Sequence, residues 1–180
     1  FQPDVVINRF DARSPGTTHG HHTASAMLSM EAFDETNNPK IFPEQLKYVQ
    51  PWQTKRLFFN TSWWFYGSQE KFEKADKTNL LNLQTGVYYQ SIGKSNQEIA
   101  SLSRSSHQSQ GFGSTGNRGE ETEYLEFLKG EPLKDKTNIF EGIDTSWNRV
   151  KGGKSIGDEI SKIIKNYDLE IALEEAHQLV

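Results

Sequence analysis

Three of the five histidines in this chain fall within Thr17-Thr18-His19-Gly20-His21-His22. Imidazole is the commonest side-chain ligand of zinc and its neighbours, and it exchanges protons near neutral pH. His19 and His22 are separated by two residues, so both can face one pocket. His21 points elsewhere or supports them. Three histidines are not a complete hydrolytic site, because no carboxylate lies in the cluster. The partners must come from elsewhere in the chain or from outside it. The plain alternative is a polar loop with solvated histidines.

A second polar stretch is Arg104-Ser105-Ser106-His107-Gln108-Ser109-Gln110-Gly111-Phe112-Gly113. It is dense in donors and acceptors, and its glycines permit close backbone approach. As a binding loop it suits a polar substrate such as a sugar. Phe112 would stack, while Arg104, His107 and Gln110 would hydrogen-bond. The alternative is a solvated surface loop. Trp63 and Trp64 read as adjacent residues of a strand, which face opposite ways. Only one of them can then belong to a given sheet face.

Other motifs fail on inspection. Gly93-Lys94-Ser95 and Gly153-Lys154-Ser155 resemble the end of a phosphate-binding loop. The required earlier glycine is replaced by Tyr88 and Asn148 respectively, so neither is one. Ser91-Ile92-Gly93-Lys94 matches the Ser-x-x-Lys pattern of acyl-serine enzymes, but the companion motifs are missing.

The elements that position these residues follow from periodicity. Asp4 to Phe10 reads as a short buried strand, opened by Pro3. Residues 11–18, with Pro15 and Gly16, form a loop. A helix follows from about His21 to Phe33, with Ala26, Met27, Met30 and Phe33 on its apolar face. Asn37-Asn38-Pro39 ends it. The histidines therefore sit where a strand hands over to a helix, the place where α/β proteins tend to hold ligands.

Further along, Pro43 suits a short helix over Phe42 to Tyr48. Lys55 to Phe65 reads as one strand or two, Glu70 to Lys77 as an exposed charged stretch, and Leu80 to Tyr89 as a strand. Gln97 to Ser105 is a helix with Ser95 as N-cap. Residues 106–119 form a long loop, and Glu121 to Leu128 is strand or helix. After a break at Trp147 to Gly153, Ile156 to Tyr167 and Leu169 to Val180 read as two amphipathic helices hinged at Asn166-Tyr167-Asp168. Ile160, Ile163, Ile164 and Tyr167 form the stripe of the first.

The bulk numbers bound the answer. The 180 residues suffice for one domain with a core, or a domain and a tail. The mean hydropathy of −0.74 is polar for a single globular unit, yet 12% aromatic residues argue against disorder. A net charge of −4 offers no electrostatic case for nucleic acid. No cysteine is present, which excludes disulfides and thiolate metal sites and leaves the compartment open. No apolar run approaches the roughly 20 residues of a membrane span. The opening Phe1-Gln2-Pro3-Asp4-Val5-Val6, with no Met, reads as entry into a strand in mid-fold. The expectation is a piece of a longer polypeptide.

Pro3-Asp4-Val5-Val6-Ile7, a short polar loop, His19-Gly20-His21-His22 and an Ala-containing helix together resemble the second half of the LmbE/PIG-L de-N-acetylases. These are zinc-dependent enzymes that remove acetyl groups from N-acetylglucosaminyl compounds and related amides. The later stretch from Gly93-Lys94-Ser95 through Glu98-Ile99-Ala100 to Gly113 is similar to a large bacterial branch of that family. The resemblance spans about residues 1–130, with 131–180 left as a linker and helical extension. It implies that His22 is a Zn2+ ligand and that His19 lines the pocket and stabilises the reacting carbonyl. The family's Asp between them is His21 here, and its Pro is Gly20. His21, Arg104, His107, Gln110 and Phe112 remain candidates for substrate binding.

The family's other ligands, a His and an Asp, and its general-base Asp belong to an N-terminal His-Pro-Asp-Asp motif, which this chain lacks. The resemblance implies that the missing N-terminal portion of the domain supplies them. This chain alone is then expected neither to hold zinc tightly nor to turn over. The expected fold is α/β, part of a Rossmann-like parallel sheet with a helical C-terminal extension. The expected partner is an N-acetylated sugar or glycoconjugate, with no nucleic acid and no membrane span. The resemblance points to a bacterial source, with export to the periplasm among the options. Two rivals stand beside this reading. One is a non-catalytic carbohydrate-binding module; the other is a different metallohydrolase drawing on Asp4, Asp11 and the histidines.

Overall fold

In the computed structural model, residues 1–13, 18–110 and 112–166 are described, with the side chains of 163–166 set aside. The chain divides into two units, 1–139 and 140–180. The first unit is mixed α/β. Strand β1 (Val5–Asn8) is followed in the chain by helix α1 (Gly20–Glu35), and α1 by β2 (Arg56–Thr61). Helix α2 (Gln69–Lys74), β3 (Leu80–Gln84), the short pair β4 (Tyr88–Tyr89) and β5 (Lys94–Ser95), helix α3 (Asn96–Ser105) and β6 (Thr122–Gly130) follow.

The main sheet has the order β1-β2-β6-β3. β1 and β2 are parallel neighbours joined through α1, a βαβ unit. β6 is antiparallel to both β2 and β3. It follows that β1, β2 and β3 all run one way and share one C-terminal end of the sheet. The sheet expected to be parallel is thus mixed, with its one reversed strand in the interior. The ambiguous 121–128 segment is that strand. Its alternation of Tyr124, Glu126 and Leu128 with Leu125 and Phe127 gives it two usable faces.

The core lies on one face. Phe58, Leu81 and Leu125 are buried there, with Val5, Leu83, Phe127, Leu133 and Ile139 packed against them. Arg56 anchors the cover over this face. Its buried guanidinium donates to the carbonyls of Glu131 (2.9 Å) and Ile139 (3.1 Å). The opposite face carries Leu57, Phe59, Leu80 and the aromatic contacts Phe59–Phe65 and Phe72–Tyr124.

Several local expectations change. In α1 the inward stripe is Thr23, Ala26, Met30 and Phe33, whereas Met27 is 58% exposed. At about 100° per residue, Met27 lies a quarter-turn away from the stripe centred on Ala26 and Met30. The expected helix over 42–48 is a 3-10 turn at Pro43–Lys47. Trp63 and Trp64 lie in a 3-10 turn, Trp63–Tyr66, and not in a strand. The charged stretch after them forms α2, and it buries Phe72. The 80–89 strand is broken into β3 and β4 because Thr85 and Val87 turn the chain toward α3.

The second unit holds a 3-10 turn, Trp147–Arg149, and helix α4, Gly153–Asn166. Trp147 packs over the helix: a Cβ on Gly157 would lie 2.6 Å from the Cβ of Trp147. The expected hinge residues Tyr167 and Asp168 and the helix over 169–180 lie outside the described residues. No helix among the described residues is long and apolar enough to cross a membrane.

Candidate functional site

The histidines are placed by the β1–α1 junction. β1 ends at Asn8, the chain turns through Phe10 and Asp11, and α1 begins at Gly20 with His19 as its N-cap. His19 has extended backbone geometry, and its carbonyl accepts from the backbone N–H groups of His22 (2.9 Å) and Thr23 (3.2 Å). Among the described residues, no side chain caps this helix end, and no acidic residue lies in its first turn. The positive end of the helix dipole is therefore uncompensated by either.

The structure brings the three rings together. His19 and His21 stack at 5.6 Å between centroids, and His22 meets His19 at 5.3 Å and His21 at 4.1 Å edge-on. His22 is also stacked on Phe10, at 3.8 Å and 5° between planes. Desolvation, then the neighbouring His21 and His19, push the His22 imidazolium below its ordinary range. A lowered proton affinity favours the neutral imidazole, the form that can donate a lone pair to a metal. Face-on stacking leaves its in-plane nitrogens free of Phe10.

His21 is part of the cluster, stacked parallel to His19, and does not point away from it. His19 and His21 are exposed, and His22 is half-buried. Among the described residues, no group of three or more His, Asp or Glu side chains is arranged to hold a metal ion. The imidazoles fit a contribution to a zinc ligand set; a full set is not assembled from these residues.

The second polar stretch follows α3, whose first residue is tied to the segment after β3. Asn96 at the start of α3 donates from its backbone to Val87 and from its side chain to Thr85. β1 and β3 are opposite edges, three strand spacings or about 14 Å apart. Arg104, His107 and Gln110 are exposed, and Phe112 is 72% exposed. Among the described residues, no hydrogen bond or ring contact joins any of these four side chains to the histidines. The stretch behind them is firmly held. The Ser95 hydroxyl donates to the Asn117 carbonyl (2.8 Å), and Arg118 pairs with Glu98 at 3.0 Å. Arg118 also lies over the Tyr88 ring.

Other residues also gather near these strand ends. Trp63 and Trp64, half-exposed, follow the C-terminal end of β2 directly. Asn8 Nδ2 and Thr61 Oγ1 are buried near the ends of β1 and β2 with no hydrogen-bond partner. Arg13 forms a fork onto Glu126 of β6 (2.8 and 2.7 Å) and also binds Asp11 (2.8 Å). These carboxylates, Glu126 first, raise the affinity of Arg13 for its proton. Desolvation, then the charge of Glu126, push the nearby Tyr66 phenol up. The one available signal was Glu126 itself, a charge in an apolar strand. Its partner 113 residues away carried none. In comparisons with known proteins, the chain matches no family model, no curated protein and no solved structure.

Proposed function

We propose that this chain carries the histidine-bearing part of an LmbE/PIG-L-type hydrolase site that cleaves the acetamide of an N-acetylated sugar. The sheet, with its β1-α1-β2 crossover, is read as part of a Rossmann-like layer. One observation carries the proposal: three imidazoles converge at a strand-to-helix junction on the C-terminal end of parallel strands. That is where open α/β sheets bind ligands.

His22 would hold the zinc, supported by its lowered proton affinity and by the Phe10 stack. His19, exposed at the helix N-terminus, would donate a hydrogen bond to the carbonyl oxygen as it becomes an oxyanion. The uncompensated positive helix end favours the same charge. Zinc, when bound, supplies Lewis acidity toward an amide carbonyl and makes bound water more acidic. The remaining ligands and the general base would come from the N-terminal portion of the domain. Trp63, Trp64 and Phe112 present exposed rings on which a sugar face can stack.

Those rings also favour a second reading, a glycan-binding module in which the histidines are incidental. Zinc content and hydrolysis separate the two. In the full natural polypeptide, His22→Ala should abolish stoichiometric zinc, and His19→Ala should retain zinc while lowering turnover by about 100-fold or more. Unchanged zinc in His22→Ala refutes the hydrolase reading. Binding of N-acetylated sugars by a metal-free protein that hydrolyses none of them supports the module.

A further inference from the structure

The turn that carries Phe10 is clamped on both sides of the sheet. On one face, Arg9 donates to the side-chain oxygen (2.9 Å) and carbonyl (3.2 Å) of Asn60, which in turn donates to Glu123 (2.7 Å). On the other, Arg13 grips Glu126. Register places these anchors on opposite faces: Asn60 is paired with Leu125, and Phe59 with Glu126. Phe10 lies between the two arginines, and its ring is stacked on His22.

We propose that Arg13 is a positioning residue: its clamp on Glu126 and Asp11 fixes Phe10, and Phe10 fixes the ring plane of His22. The importance of that plane rests on the hydrolase reading; the clamp itself does not. Each guanidinium nitrogen is engaged, Nη1 and Nη2 by Glu126 and Nε by Asp11. The backbone N–H of Arg13 binds the same Asp11 oxygen (2.9 Å). Arg13 converts a turn into a rigid support, because the planar fork fixes direction as well as distance. The carboxylates are largely covered, with 13% of the Asp11 side chain and 18% of the Glu126 side chain exposed. Such groups need their partner in place.

The test is the aromatic NMR spectrum of the protein with labelled histidine. Stacking on Phe10 displaces the His22 ring signals upfield and gives cross-relaxation between the two rings. Arg13→Gln should abolish that cross-relaxation and most of the displacement, and Arg13→Lys, which cannot fork, should give an intermediate result. A merely stabilising role would lower the melting temperature and leave the His22 signals in place. If Arg13→Gln does not fold, Glu126→Gln, which keeps the shape and removes the charge, carries the same expectation. Unchanged His22 signals in either folded variant overturn the proposal and leave the hydrolase reading standing. A zinc-free protein without hydrolysis retires that reading and leaves the clamp.

Discussion

Gly116→Ala should destabilise the protein by more than its half-buried position suggests. A Cβ at Gly116 would lie 2.4 Å from the carbonyl carbon and oxygen of Gln97 and from the nitrogen of Glu98. Carbon contacts are comfortable at about 3.5–4.0 Å, so the overlap exceeds 1 Å. All three atoms are backbone of the first turn of α3, which cannot yield like a side chain. That turn is locked by a capping box, in which the Ser95 hydroxyl accepts from the Glu98 N–H (3.2 Å) and the Ser95 N–H donates to the Glu98 carboxylate (2.8 Å).

Relief requires the 114–119 segment to lift, which breaks the bond from Ser95 to Asn117. Overpacking costs about 1–3 kcal/mol and the hydrogen bond about 1 kcal/mol. The sum is about 2–4 kcal/mol, or roughly 4–16 °C in melting temperature for a chain of this size. Gly113→Ala is the internal control. It has no atom within 4 Å, but its φ is +75°, so only left-handed strain of about 1–2 kcal/mol applies. Urea unfolding of both variants decides, with amide exchange at Glu98 reporting whether the first turn of α3 opens. A cost for Gly116→Ala no larger than that for Gly113→Ala would refute the packing account.

Two further outcomes are expected. Arg118, and then the Ser95 N–H, hold the Glu98 carboxyl at about 2, below its ordinary 4.5. The unfolded chain therefore binds the extra proton first, and this stabilisation is complete above pH 4.5 and is lost as pH falls toward about 2. Unfolding midpoints of the wild type and Glu98→Gln should converge over that window; a constant difference would contradict the linkage. Gly20→Ala places a better helix former at the first residue of α1, where its φ is ordinary and nothing lies within 4 Å. It should stabilise by about 0.4–1 kcal/mol, or roughly 1–4 °C. A fall in melting temperature would show that the bare glycine backbone is needed there.

Much of the local structure was readable because it depends on near neighbours. Pro3 and the run Val5-Val6-Ile7 determine β1, the Ser95–Glu98 spacing determines the start of α3, and the break at 37–39 ends α1. The location of His19, His21 and His22 between a strand and a helix followed from the same short-range pattern. Chemical type alone marked them as metal or proton ligands.

Only tertiary structure decided the rest, since it depends on which distant surfaces meet. Periodicity could not say that the 122–130 segment would be a reversed strand between β2 and β3. Nor could it say that the sheet would take Met30 inward and leave Met27 outside, because a one-residue rotation of the stripe is invisible until a partner face exists. The stack of His22 on Phe10 and the fork of Arg13 on Glu126 join residues 12 and 113 positions apart. The sequence by itself determined which groups could do chemistry and on which elements they ride. The tertiary structure determined that Phe10 stacks on His22, and that Arg13 of the same turn closes on Glu126 of β6.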